Sequence, residues 1–215
     1  MTTTRESVAA RPFDAVLCDL DNVIRFYDTT RLAELERAAG LAEGTTEAVA
    51  FSPELDGPLL LGRSTVAQWV ASIETALADT GRISGERARE LAAAFASTPF
   101  AADEAVVRVL RAVRAAGLAL VLVTNATHRL EDDLESMGLA DLADHVVSSA
   151  RVGVAKPDRG IYEIAAGRAG AAPERCLFVD DRLENVEAAV ALGMTGVHYR
   201  EPADLHGPLG FLSAG

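Results

Sequence analysis

Cysteine is scarce: the 215 residues hold two, Cys18 and Cys176. Two cysteines cannot build a disulfide framework or a four-cysteine zinc site. Both lie inside apolar runs, where each reads as a small buried hydrophobe. Positive charge is also in deficit, with 20 Lys and Arg against 32 Asp and Glu and a net charge of −12. Binding to a nucleic-acid backbone or an anionic membrane needs clustered Lys and Arg, so no nucleic-acid or membrane partner is expected. A small anionic substrate stays compatible, because a local metal or lysine can outweigh the global field. No apolar run approaches the length of a membrane span. Met1 to Arg11 is polar and has no apolar signal-peptide core, so the chain is expected to be soluble and cytoplasmic. Walker A, a glycine-rich dinucleotide fingerprint and a Gly-x-Ser-x-Gly elbow are all missing, which argues against an NTPase, a nicotinamide enzyme and a serine hydrolase.

The composition that remains is globular, 49% hydrophobic and 24% charged. Short β-type runs at Phe13–Leu20, Leu118–Thr124, His145–Ser149, Cys176–Asp180 and Thr195–Tyr199 alternate, in their later part, with helical patterns. Those patterns are Asp103–Ala116, Arg129–Met137, Asp158–Ala169 and Leu183–Leu192. In the first, Val106, Val107, Leu110 and Val113 recur as one helix face requires. Gly117, Gly138, Gly170 and Gly193 follow the four helices, where left-handed caps are expected. Apolar strands alternating with helices predict a doubly wound parallel sheet in an α/β fold.

Between Val23 and Ala102 the rhythm breaks and no strand is predicted. Helical patterns occur instead near Thr30–Ala39, Ser64–Ala78 and Gly85–Ala96. About 75 residues is too long for an ordinary connection, so the interval is expected to be an inserted helical subdomain able to act as a lid. The division expected is a core of residues 12–24 and 100–200, a helical cap of 25–99, and peripheral tails of 1–11 and 201–215.

Four polar clusters follow these strands. Asp19 and Asp21 close the first run at a spacing that points both carboxylates to one side of an extended backbone. Solvated turn residues would explain them equally. Thr124 and Asn125 close the run Leu118–Val123, either as a helix N-cap or as an anion site. Lys156 precedes Pro157, which suits a first helical position, with Asp158 in the first turn. Lys156 is then either a solvated cation or one aimed at an anionic ligand. Asp180 and Asp181 follow Leu177–Val179, with Asn185 beyond; one of the two carboxylates would suffice to cap the next helix. Ligands of open α/β sheets bind where the strands end. A carboxylate cluster there needs a hard divalent cation to coexist with a phosphate, and Mg²⁺ is the natural choice. His128 and His145 lack ligand spacing.

These residues together resemble the haloacid dehalogenase superfamily, in particular its phosphatase-like members with a helical cap inserted after the first motif (subfamily I). Asp19-Leu20-Asp21-Asn22-Val23 is similar to that family's first motif, Thr124-Asn125 to its second, Lys156-Pro157 to its third and Asp180 to Asn185 to its fourth. The resemblance implies Mg²⁺-dependent hydrolysis of a small phosphorylated metabolite. Asp19 is implied to be the nucleophile and Asp21 the general acid and base. Thr124, Asn125 and Lys156 would hold the phosphoryl group. Asp19, Asp181, Asp180 and the Asp21 carbonyl would hold the metal, and Asn185 would support them. Asn22 stands where the family has Gly, and a left-handed backbone is predicted there, since Asn tolerates positive φ. Arg25, Arg63 and Trp69 are possible substrate contacts, each also readable as a solvated charge or, for Trp69, as cap core. A 2-haloacid dehalogenase, a phosphomutase and a non-catalytic metabolite-binding protein are the alternatives. A monomer or a homodimer is expected.

Overall fold

A computed structural model describes residues 11–213. Strand β1 (Ala15–Cys18) is followed by β2 (Arg25–Tyr27) and five helices: α1 (Thr30–Ala38), α2 (Thr45–Ala50), α3 (Pro53–Leu60), α4 (Val66–Asp79) and α5 (Gly85–Ala96). Then come β3 (Phe100–Ala102), α6 (Glu104–Ala115), β4 (Ala119–Thr124), α7 (Leu130–Ser136), β5 (His145–Ser148) and α8 (Ser149–Val152). The chain continues with α9 (Arg159–Ala169), β6 (Cys176–Asp180), α10 (Leu183–Val190), β7 (Thr195–His198) and α11 (His206–Leu209). Five strands form one parallel sheet in the order β5-β4-β1-β6-β7. This is the α/β architecture the sequence predicts.

Strand β1 sits at the centre and is buried on both sides. Its side chains alternate between two cores, as a pleated strand requires. Val16 and Cys18 join the core with α6 residues Val106 and Leu110, while Ala15 and Leu17 join the one with α9 residues Ile161 and Tyr162. Both cysteines are fully buried and unpaired, as expected. Asp103 caps α6, its carboxylate accepting from the Ala105 and Val106 amides. Gly196 is required by packing: a Cβ there would lie 2.6 Å from Val186 Cγ1, so the missing side chain lets α10 lie close on β7. Cys18 pairs with Leu122 on one side and Val179 on the other. That register sets Asp19, Thr124 and Asp180 together at the carboxyl ends of β1, β4 and β6.

The interval after β1 departs from expectation at its ends and in part of its helical layer. It is helical, with its own apolar core around Leu35, Ile73, Leu77 and Leu91. Its two ends, however, pair as an antiparallel ribbon, Arg25 opposite Ala102 and Tyr27 opposite Phe100. Each strand has three residues, too few for alternation to register. Helices α2 and α3 were not expected either. The first spans six residues, and the second holds Gly57 and Pro58, both helix breakers by propensity. The C-terminal stretch is less peripheral than expected, since Leu205 and Leu209 are buried in the larger core. The N-terminal tail lies outside the described residues apart from Arg11. Among the described residues no helix is long and apolar enough to cross a membrane.

Candidate active site

Asp19 leaves β1 with its amide donating to the Val179 carbonyl at 2.9 Å. Its carboxylate faces the Lys156 ammonium, Oδ1 to Nζ at 2.7 Å, and accepts from the Leu20 amide. Lys156 Nζ makes a second bond of 2.7 Å to Asp180 Oδ2. The other Asp180 oxygen accepts from the Arg182 amide and from Asn185 Nδ2. Both Asp180 oxygens are engaged: one faces the lysine, the other ties down the start of α10. Tyr162 from α9 donates to the Asn185 carbonyl, which fixes Asn185 in turn.

Lys156 is the chain's only lysine, and its side chain is 1% exposed. The segment that carries it differs from expectation. The Lys156–Pro157 peptide is cis, and α9 starts at Arg159 with Asp158 as its N-cap, its carboxylate accepting from the Gly160 amide. Pro157 is thus not the first helical residue. The Asn125 side chain is engaged within the protein. Its side-chain amide donates to the Lys156 carbonyl at 2.9 Å, and its oxygen accepts from the Lys156 amide at 2.8 Å. Both ends of Asn125 are committed to holding the lysine loop. Thr124 Oγ1, by contrast, is buried with no hydrogen-bond partner. A buried hydroxyl left unpaired is costly, and Thr124 ends the strand beside Asn125.

Asn22 has φ +58°, the left-handed conformation expected of it. The turn it makes brings Nδ2 to Asp181 Oδ2 at 3.1 Å. Asp21 is held elsewhere. Arg25 Nε and Nη2 donate to its two oxygens at 2.6 and 3.0 Å, and Arg25 Nη1 reaches Asp133 at 2.8 Å. Arg25 is buried, between the rings of Tyr27 and Phe100, so it is not a solvated charge.

Ligand oxygens of Asp19, Asp180 and Asp181 lie within 4.8 Å of one another. The Asp21 carboxylate stands outside that group. Burial pushes the Asp19 carboxyl up to about 7 against the pull of Lys156, with Asp180 and Asp21 adding repulsion. Burial also raises Asp181, opposed by the Asn22 hydrogen bond. Burial alone would depress the Lys156 ammonium, but Asp19 and Asp180 outweigh it and hold it above the ordinary lysine value. Two carboxylates share one ammonium and Asp181 stands beside them, a hard-oxygen donor set short of positive charge. That set fits a Mg²⁺-sized hard cation.

A family model of haloacid dehalogenase-like hydrolases matches residues 13–193. The chain belongs to this family. The sesquiterpene phosphatase astK of Aspergillus oryzae is 36% identical over 112 residues, 51% of this chain and 57% of that protein. Phosphatase MT3486 of Mycobacterium tuberculosis is 30% identical over 184 residues, 84% of each. Among solved structures, a family hydrolase from Deinococcus radiodurans R1 with bound phosphate and sodium has a TM-score of 0.60 at 28% identity, over 94% of this chain and 89% of that one. A family enzyme from Bacteroides thetaiotaomicron, in complex with magnesium and inorganic phosphate, shares the fold, with a TM-score of 0.65 at 18% identity over 87% and 94%.

Within this family framework the strand-end motifs converge as their order along the chain implies. Sequence reasoning missed the Asp133 partner of Arg25 and the Tyr162 support of Asn185. It also passed over the uniqueness of Lys156, a signal open to simple counting. Trp69 packs in the helical core, donating to the Ala50 carbonyl, and also lines a cavity beside Asp21; Arg63 does not line it.

Proposed function

We propose that this chain hydrolyses a small-molecule phosphomonoester through an aspartyl-phosphate on Asp19, in a Mg²⁺-dependent reaction. The observation that carries the reading is the Asp19 carboxylate, set against the buried Lys156 ammonium, beside two further carboxylates and an unpartnered Thr124 hydroxyl. The phosphatases among the relatives support the same reading. An Asp19 oxygen attacks phosphorus as the bond to the ester oxygen breaks, and Asp21 gives its proton to the departing alkoxide. Water then attacks the phosphorus of the acyl phosphate and loses a proton to Asp21, which frees phosphate and restores Asp19. For either transfer the Asp21 carboxylate must release Arg25. Lys156 holds Asp19 in place and offsets the charge that gathers on the phosphoryl oxygens. Thr124 donates its hydroxyl to one of those oxygens. Asp19, Asp180 and Asp181 would hold Mg²⁺, which would supply further charge neutralisation.

Residues 25–99 serve in this reading as a cap over a core of 12–24 and 100–200. The pair Asp180 and Asp181 favours phosphoryl transfer over dehalogenation, which has no use for a metal. The test is acid-quench mass spectrometry during turnover. A phosphoryl adduct on the peptide carrying Asp19, absent together with turnover in Asp19→Asn, is the expected result. Wild-type turnover in Asp19→Asn would refute the mechanism.

A further inference from the structure

We infer that the ester cleaved here carries an apolar leaving group, an alkyl or aryl chain in place of a sugar or other polyol. The inference rests on the phosphomonoester reading above. A cavity of about 360 Å³ opens beside Asp21, Asn22 and Asn125 and runs under the helical layer. Small-molecule sites start at about this size. The far wall is an aromatic cluster from three helical segments: Phe51 and Trp69 each lie against Phe95 with ring centroids 5.6 Å apart. Tyr27 and Phe100 of the ribbon meet edge to face at 5.7 Å and line the same cavity.

Exposure points the same way. Among the described residues five large hydrophobic side chains are exposed, and three of them, Phe26 (41%), Tyr27 (43%) and Phe51 (54%), line this cavity. Exposed apolar surface gathered in one concave site marks a binding surface. Several polar groups nearest Asp21 are committed to one another, while Asp56 also lines the cavity beside the helical layer. Asp21, Arg25 and Asp133 bond one another, and the Thr98 hydroxyl donates to the carbonyls of Ala94 and Phe95. Glu47 and Arg129 are exposed. Against the aromatic wall a polyol would give up water for few hydrogen bonds, whereas an apolar chain loses nothing by leaving water. Because the cavity reaches Asp21, its occupant is the group attached to the ester oxygen, next to the proposed proton donor.

The test compares n-hexyl phosphate with glucose 6-phosphate, with Mg²⁺ present. Both leave as primary alkoxides of six carbons, so intrinsic reactivity is matched and the cavity decides. Hydrophobic pockets discriminate about 10–200-fold for a single methylene, so kcat/KM for the hexyl ester is expected to exceed the sugar ester by about 100-fold or more, mostly through KM. Phe51→Ala, at an exposed position that folding tolerates, should reduce that ratio about tenfold. Equal or faster hydrolysis of glucose 6-phosphate would overturn the inference and leave the hydrolase reading standing. An unchanged ratio in a folded Phe51→Ala variant would also overturn it. Phosphate release from neither ester would overturn the hydrolase reading, and the inference with it.

Discussion

Lys156 carries an unusual share of the site's charge balance. Its ammonium sits 2.7 Å from both Asp19 and Asp180, and those side chains are 1%, 8% and 0% exposed. Buried pairs are strong only while complete, because the partner left behind is an unpaired buried charge. Lys156→Met should therefore destabilise the metal-free protein by about 3–5 kcal/mol, read from urea midpoints. A loss below about 1 kcal/mol, the range of a surface pair, would mean that water already screens the cluster. Much at this scale was legible in the sequence: the i, i+2 spacing of Asp19 and Asp21, the strand-end Thr124, the paired Asp180 and Asp181, and the left-handed Asn22. What stayed hidden were partners distant in sequence. Nothing in Asn125 says that it clips residue 156, and nothing in Arg25 says that it will be buried against Asp21 and Asp133.

At the level of elements, the parallel sheet and the helices that follow it were readable because apolar runs and a 3.6-residue period are local signals. The β2–β3 ribbon was not, since its partners stand some 75 residues apart and neither has enough length to show a period. Helix α3 was hidden by Pro58, and tertiary packing of Leu59 overrides that weak local preference. The same helix gives a pH prediction. Burial raises the Asp56 carboxyl from 3.8 to about 6, with Arg182 pulling the other way. A folded value above the unfolded one means that the folded state holds the proton more tightly. The contribution of Asp56 to stability is thus fully present below pH 3.8 and lost as pH rises through about 6. Asp56→Asn removes this dependence, so the variant should gain stability relative to wild type as pH climbs across that window. Urea midpoints of both proteins at each end of it make the comparison. A difference that does not change with pH would contradict the burial of Asp56.

On the scale of the whole molecule, a net charge of −12 sets the terms for an anionic substrate. The global field repels a phosphate dianion and favours divalent cations near the surface. The sheet resolves this by placing one lysine and three carboxylates together where its central strands end. That arrangement suits metal-dependent phosphoryl transfer. The most direct measurement is phosphate release from n-hexyl phosphate by one preparation, assayed with Mg²⁺, then with excess chelator, then with Mg²⁺ restored. Release that disappears on chelation and returns with Mg²⁺ is the expected result. Release that continues undiminished after chelation would contradict the account.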